Sequence, residues 1–315
     1  MSLLARLTAD RRLRYAMMAA MLAGSLLFAY LAFSGSARAF LNLSSPPRLD
    51  YLGLALGLVG FNHILQAVIW HLYARDLHQE RDAGKDILRY SVTALTRSLP
   101  GAFYWSIASR VMLYQQDGRT AFATVATGAE LALQSISGAG LALVLLGWPW
   151  GVAPAAVILA LPLLPGTERA WLGLAEHRWF SQRWPQLGAG FREVSRLSRR
   201  TLAVALAAYL LMWLLGGLFA EALVLAIGAP LPARLPLYGI WVVTSLVGTA
   251  GSVFLGGIGA IREFSLAGLL TPLLTLPVAT IVSLLSRAIL VLGSWIWGAA
   301  TAFVCQLATR PRSHR

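Results

Sequence analysis

Residues 200–228, RTLAVALAAYLLMWLLGGLFAEALVLAIG, form an almost wholly apolar run with one carboxylate, Glu221, inside it. A helix of about 20 apolar residues, rising 1.5 Å per residue, crosses the ~30 Å hydrocarbon core of a bilayer. Comparable runs lie at about 15–33, 51–73, 119–147, 149–165 and 277–307. The sequence therefore predicts an all-α polytopic membrane protein with about six spanning helices.

The composition of the 315-residue chain agrees with a lipid environment. Hydrophobic residues make up 57% of the chain and charged residues 12%, about half of the ~25% that is typical of soluble domains. The first apolar run, 15–33, is longer than the ~7–15 apolar residues of a signal peptide, so we expect an uncleaved span. With Cys305 as the only cysteine, no cysteine-based metal site is expected, and no sequence motif indicates a metal or an organic cofactor.

Basic residues are distributed unevenly between the predicted loops. The net charge is +13, and most of the 26 basic residues precede Tyr15, lie in 74–97 or 166–200, or follow the last span. The opposite loops hold only Arg38, Arg48 and Arg234. The positive-inside rule therefore places both termini in the cytoplasm. Because the basic residues flank apolar runs, we expect contact with membrane headgroups and no nucleic-acid partner.

Two further apolar stretches, about 87–116 and 237–275, are interrupted near their middles. The breaks are Leu99-Pro100-Gly101 in the first and Gly256-Gly257-Ile258-Gly259 in the second. Proline removes a helical hydrogen bond, and glycine weakens a helix. Each half has about 12–18 residues, mostly too few to cross the bilayer. We predict two re-entrant helical hairpins. If each hairpin instead crossed the membrane twice, there would be more spanning segments, but both termini would still lie in the cytoplasm.

Each interrupted stretch lies between two long apolar runs. The runs that precede them, 51–73 and 200–228, are predicted to cross the membrane in opposite directions. That arrangement is typical of inverted repeats in transporters. We predict a single membrane domain, 1–315, with residues 50–165 as the first repeat and 200–307 as the second. The segment 166–199, rich in arginine and tryptophan, is expected to lie at the cytoplasmic headgroup level. The alternative is that the two breaks coincide by chance.

Charged residues at membrane depth are costly and are often functional. Five stand out: Arg110, Glu130, Arg262, Glu263 and Arg287. A sixth, Glu221, is expected near the outer end of its span, where water is available. Arginine presents a planar set of donors that suits phosphate oxygens, and a turn before a helix leaves backbone N–H groups for an anion. We predict that these five bind a lipid headgroup together with the break residues Pro100, Gly101, Gly256, Gly257 and Gly259. The alternative is that the arginines pair with the glutamates and only hold the helices together. No catalytic residue is predicted.

Two sequence motifs resemble those of the lysylphosphatidylglycerol synthase membrane-domain family over about 50–307. The second motif is Phe254-Leu255-Gly256-Gly257-Ile258-Gly259-Ala260-Ile261-Arg262-Glu263, followed by Leu269-Leu270 and Arg287. The first is Leu99-Pro100-Gly101, followed by Arg110, Gly118 and Glu130. This chain has Gly101-Ala102-Phe103-Tyr104 where the family often has an arginine soon after the proline. It has Glu130-Leu131 where the family often has Glu-Arg.

The resemblance implies a flippase-like protein of the bacterial inner membrane. Its substrate would be an anionic phospholipid or a polyprenyl-phosphate-linked intermediate. Aminoacyl-transferring members carry a large cytoplasmic C-terminal domain, whereas this sequence continues only about eight residues past its last predicted span; we therefore expect no lysyl transfer by this chain alone. The alternatives are a non-catalytic subunit that acts with a biosynthetic partner enzyme, and a membrane-embedded lipid-modifying transferase.

Overall fold

The computed structural model describes residues 46–78, 82–95, 102–115, 117–147, 149–177, 195–254 and 260–308. These ranges contain ten α-helices and no strands, which confirms the all-α class. Several predicted features lie outside the described residues: the first span at 15–33, most of the segment between Glu176 and Arg199, and the break residues Pro100, Gly101, Gly256, Gly257 and Gly259.

Four of the ten helices are long and apolar enough to cross a membrane, as expected of a multi-pass membrane protein. They are α1 (Leu49–His78), α4 (Thr120–Gly147), α7 (Arg199–Ala226) and α10 (Leu276–Ala308), and they match the runs predicted at 51–73, 119–147, 200–228 and 277–307. The helices are α1 (Leu49–His78), α2 (Ala83–Ala94), α3 (Ala102–Gln115), α4 (Thr120–Gly147), α5 (Val152–Ala160), α6 (Thr167–Glu176), α7 (Arg199–Ala226), α8 (Arg234–Phe254), α9 (Ala260–Leu270) and α10 (Leu276–Ala308).

The run at 149–165 is shorter as a helix than the sequence predicts. Helix α5 has nine residues, and one 3-10 turn, Leu161–Leu163, follows it. Pro162 and Pro165 lack the N–H group that a continuing helix needs, and Gly166 adopts a left-handed φ of 95°. Nine residues rise only about 14 Å, so α5 alone is too short to cross the hydrocarbon core.

Helices α1 and α7 lie antiparallel and define the two ends of the bundle. The Arg48 N–H donates to the Ala226 carbonyl at 2.7 Å where α1 begins and α7 ends. At the other end the Ser198 N–H donates to the Asp76 carboxylate at 2.6 Å. We call these the Leu49 end and the His78 end. The positive-inside prediction assigns the His78 end to the cytoplasm.

The helix pair α2/α3 enters and leaves at the His78 end. Asp82 caps the start of α2 by accepting from the Lys85 N–H. The Tyr114 hydroxyl, near the end of α3, donates to Asp86 near the start of α2 at 3.0 Å. Arg89 of α2 also donates to Asp117, just after α3. These two short helices therefore begin and end side by side.

The pair α8/α9 enters and leaves at the opposite, Leu49 end. Arg234 at the start of α8 donates to Glu221 near the end of α7 at 2.9 Å. Leu237 of α8 and Leu270 of α9 are buried in the same apolar cluster as Leu223 of α7. The two interrupted stretches thus open toward opposite ends of the bundle.

The packing of these helices follows a two-fold pattern. Helices α1 and α7 pack on each other, α2 packs on α10, and α8 packs on α4. Helix α1 also packs on α10, as α7 packs on α4. Exchanging α1–α4 with α7–α10 leaves these pairings unchanged. One apolar cluster lies at the His78 end, around Trp70 and Tyr209, and another at the Leu49 end, around Leu223 and Trp241.

Candidate functional site

Arg110 lies on α3 in an enclosed polar cluster toward the His78 end. Its Nη1 donates to Glu130 Oε2 on α4 at 2.5 Å and to Thr127 Oγ1 at 3.0 Å. Its guanidinium carbon stands 4.3 Å from the Trp70 ring centroid and 4.8 Å from that of Tyr90. The Arg110 side chain is 1% exposed. We call these five residues the Arg110 cluster.

The Arg110 cluster is neutral in charge and is extended by further hydrogen bonds. The Tyr90 hydroxyl lies 3.1 Å from Glu130 Oε1 and 2.7 Å from Gln66 Oε1, so its single proton serves one of them at a time. The Trp70 indole N–H donates to the Tyr114 hydroxyl at 2.9 Å. One arginine and one glutamate are thus closed in by aromatic rings, whose faces partly replace water around the cation.

Arg262 lies on α9 in a second polar cluster. Its Nη1 stands 3.3 Å from Glu263 Oε1 and 3.5 Å from Ser286 Oγ of α10. Its guanidinium carbon is 4.5 Å from the centroid of the Trp241 ring on α8. Arg287 of α10 places its Nη1 3.6 Å from the same Glu263 oxygen. We call these five residues the Arg262 cluster.

The Arg262 cluster carries a net charge of +1, because two arginines share one carboxylate. Its members are unevenly exposed: Arg287 is 43% exposed, Arg262 13% and Glu263 3%. The Ser283 hydroxyl donates to the Glu263 backbone carbonyl at 2.8 Å and so joins α9 to α10. The carboxylate is therefore held in the interior, while one of its two cations reaches the surface of the bundle.

Close packing of α8 on α9 positions the Arg262 side chain. A Cβ atom added to Gly248 of α8 would stand 2.7 Å from the Arg262 Cβ. That distance is shorter than any side chain tolerates, so the two helices can approach this closely only with glycine at 248. The cluster geometry thus depends on a small residue on the neighbouring helix.

Two atoms of the Arg262 cluster lack hydrogen-bond partners. Arg262 Nη2 and Glu263 Oε2 are buried, and neither has a partner within the part of the chain that the structure describes. Buried polar atoms are normally paired, and each unpaired one calls for an explanation. One of these atoms is a donor and the other an acceptor, and they belong to adjacent residues.

The structure thus brings the five predicted charged residues together in two groups: Arg110 with Glu130, and Arg262 with Glu263 and Arg287. The two groups share no hydrogen-bond, ion-pair or ring partner among the described contacts. The sequence did not single out Trp70, Tyr90 and Trp241, whose rings cover the arginines. Aromatic residues inside apolar runs were the available signal, but one sequence does not show which of them face an arginine.

No protein-family model, curated protein or solved structure matches the chain.

Proposed function

We propose that the protein is flippase-like: it binds an anionic phospholipid or lipid-linked intermediate at the Arg262 cluster and moves it across the bacterial inner membrane. One observation carries this proposal, the pairing of two arginines with one carboxylate between α9 and the candidate span α10. The resemblance to the lysylphosphatidylglycerol synthase membrane domain supports the same function.

An excess cation within a bilayer is expensive unless an anion or water compensates it. The planar guanidinium matches phosphate oxygens with two parallel hydrogen bonds, whereas a lysine offers only a point charge. Arg287 is the half-exposed member of the cluster, so an incoming headgroup meets it first. A lipid phosphate would supply the negative charge that Glu263 alone does not.

The helix arrangement supports a transporter rather than an isolated binding protein. Helix α2 has 12 residues and α9 has 11, about 18 Å and 17 Å at the usual rise. These lengths favour hairpins that enter and return, and the two pairs open at opposite ends. Helix α8, with 21 residues, is longer than the ~12–18 residues predicted for each half and rises about 32 Å, but it is not among the four candidate spans. Together with the exchangeable pairings, the opposite openings are what an inverted repeat would produce, and such folds alternate access around a central site.

The Arg110 cluster takes a supporting part in this proposal. Its single arginine is neutralised by Glu130 and covered by rings, which leaves no excess charge for a ligand. We therefore assign it to holding α3 against α4 and α1. This is the alternative that the sequence left open for both arginines, and here the contacts favour it for Arg110.

The test is lipid movement in proteoliposomes. A fluorescent phosphatidylglycerol is placed in both leaflets, and a membrane-impermeant reductant bleaches the outer one. We expect Arg287→Gln to slow delivery of the inner pool by about tenfold or more, equivalent to ~1.4 kcal/mol. The matched control is Arg234→Gln, which removes one charge at a 67% exposed arginine and should leave the rate within about twofold.

Equal rates for Arg287→Gln and wild type would overturn the proposal. Movement that requires a second membrane protein would instead favour the non-catalytic subunit. A chemically altered lipid recovered from the vesicles would favour the transferase.

A further inference from the structure

Arg262 Nη2 and Glu263 Oε2 set a requirement on the headgroup beyond its charge. Both atoms are buried and lack a partner among the described residues. A phosphate oxygen can accept from Arg262 Nη2, but it cannot satisfy Glu263 Oε2, because both are acceptors. A headgroup that offers only phosphate oxygens would therefore leave a buried carboxylate oxygen unsatisfied.

We propose that Glu263 selects lipids whose headgroup carries a hydrogen-bond donor, a hydroxyl or an ammonium, next to the phosphate. The phosphate accepts from Arg262 and Arg287, and the donor reaches Glu263 Oε2. This inference rests on the proposed function: the lipid phosphate supplies the anion, and a neighbouring headgroup donor is the added requirement.

The other contacts of the cluster fix the orientation of such a headgroup. Glu263 Oε1 already faces both arginines, at 3.3 Å and 3.6 Å. The Ser283 hydroxyl holds the Glu263 backbone carbonyl, and the two arginines hold the carboxylate through Oε1. Oε2 is thus the carboxylate atom left for a ligand. Since Arg287 is the half-exposed member, the headgroup approaches from its side of the cluster.

A water molecule is the competing occupant, since one water can accept from Arg262 and donate to Glu263 at once. The two occupants predict different selectivity. A headgroup donor in direct contact makes the site discriminate between lipids with and without it, because the loss of a partner exposes a buried polar atom's full desolvation cost. A resident water leaves the lipids indistinguishable.

The experiment measures lipid binding to the purified full chain by native mass spectrometry, with two matched lipid pairs. Phosphatidylglycerol and phosphatidylmethanol each carry one negative charge, and only the first has headgroup hydroxyls. Phosphatidylethanolamine and phosphatidylcholine are both zwitterionic, and only the first has N–H donors. We expect the donor-bearing member of at least one pair to bind about tenfold more tightly or better.

The variant Glu263→Gln sharpens the result, because the amide nitrogen can take the place of Oε2 and replace an acceptor by a donor. We expect it to abolish the preference for the donor-bearing lipid. The matched control is Glu221→Gln, which neutralises another largely buried glutamate that pairs with an arginine and should keep the preference.

Each outcome separates this inference from the function on which it rests. Preference in the first pair alone assigns the hydroxyl, and preference in the second pair alone assigns the ammonium. If wild type binds both members of each pair equally, yet binds them more tightly than diacylglycerol, the inference is overturned and the proposed function stands. If no lipid binds more tightly than diacylglycerol, both are overturned. These wild-type comparisons decide the matter even if Glu263→Gln fails to fold.

Discussion

The Arg110 cluster and the Arg262 cluster are built from the same parts but differ in charge balance. In each, an arginine on the outgoing helix of a short pair lies over a ring from the incoming helix and near a hydroxyl from the following long helix. The long helix α4 then supplies Glu130 to Arg110, whereas α10 supplies Arg287, a second cation. An otherwise similar frame is therefore neutral in one half and positive in the other.

This difference separates a packing role from a binding role. Arg110 is 1% exposed and its charge is balanced by Glu130. Its Nε and Nη2 are buried without a partner among the described residues, as is Arg262 Nη2, but only the Arg262 cluster adds an unpartnered carboxylate oxygen and an excess cation. Arg287 is 43% exposed and shares its carboxylate with Arg262. Charge at membrane depth alone does not distinguish the two clusters, but the count of cations per carboxylate does.

The largest effect is expected from breaking the Arg110–Glu130 pair on one side only. Glu130→Gln leaves Arg110 buried without its counter-charge and should lower the free energy of unfolding by about 3–5 kcal/mol. The double variant Arg110→Met with Glu130→Leu removes both charges and should recover most of that loss. Denaturation in detergent measures both, and lipid movement should survive in the double variant. A double variant that folds well but moves no lipid would assign Arg110 to the binding site after all.

A smaller effect is expected from filling the space beneath Arg262. Gly248→Ala places a methyl group against the Arg262 Cβ, which should cost about 1–3 kcal/mol of stability and displace the guanidinium. The control is Gly57→Ala on α1, where the added methyl meets nothing within 4 Å. Gly248→Ala should lower both the unfolding temperature and the affinity for phosphatidylglycerol, and Gly57→Ala should lower neither. Unchanged binding by Gly248→Ala would mean that the position of Arg262 does not matter.

The smallest effect concerns the ion pair between Arg89 and Asp117, which joins α2 to the turn that follows α3. The hydrogen bond from Arg89 lowers the pKa of Asp117 below its ordinary value. The pair therefore stabilises the fold above the unfolded-state pKa of about 3.9, and this contribution is lost as the pH falls through the lower folded-state value. Asp117→Asn should cost at most about 1 kcal/mol at neutral pH, because Asp117 is near the surface.

The check on Asp117 is the stability difference between wild type and Asp117→Asn, measured from pH 7 down to pH 3. It should shrink as the solution becomes acidic. A difference that does not change with pH would show that the ion pairs of Asp117 with Arg89 and Lys85 contribute nothing.

Much of the helix layout could be predicted from the sequence, because a spanning helix is a local pattern. The runs at 51–73, 119–147, 200–228 and 277–307 each became one long helix. The run at 149–165 did not. A mean hydropathy does not register Pro162 and Pro165, but each proline lacks the backbone N–H group that a continuing helix needs. Hydropathy therefore predicted where lipid-compatible sequence lies, but not where a helix ends.

The candidate residues could be predicted one by one, but not their partners. A charge inside an apolar run is visible in the sequence, and all five such residues lie in polar clusters. The pairing of Arg110 with Glu130 joins helices α3 and α4, and that of Glu263 with Arg287 joins α9 and α10. Such pairings follow from how the helices pack, as do the rings of Trp70 and Trp241. The charge excess became visible only once the pairs were known.

The most direct test of the account is to remove one arginine from each cluster and measure stability and lipid movement on the same two variants. For Arg287→Gln, we predict a free energy of unfolding within about 1 kcal/mol of wild type and a rate per folded molecule at least about tenfold lower. For Arg110→Gln, we predict a loss of about 3–5 kcal/mol and a nearly unchanged rate per folded molecule. The reverse pattern, with transport lost in a stable Arg110→Gln protein and kept in Arg287→Gln, would contradict the assignment of the two clusters.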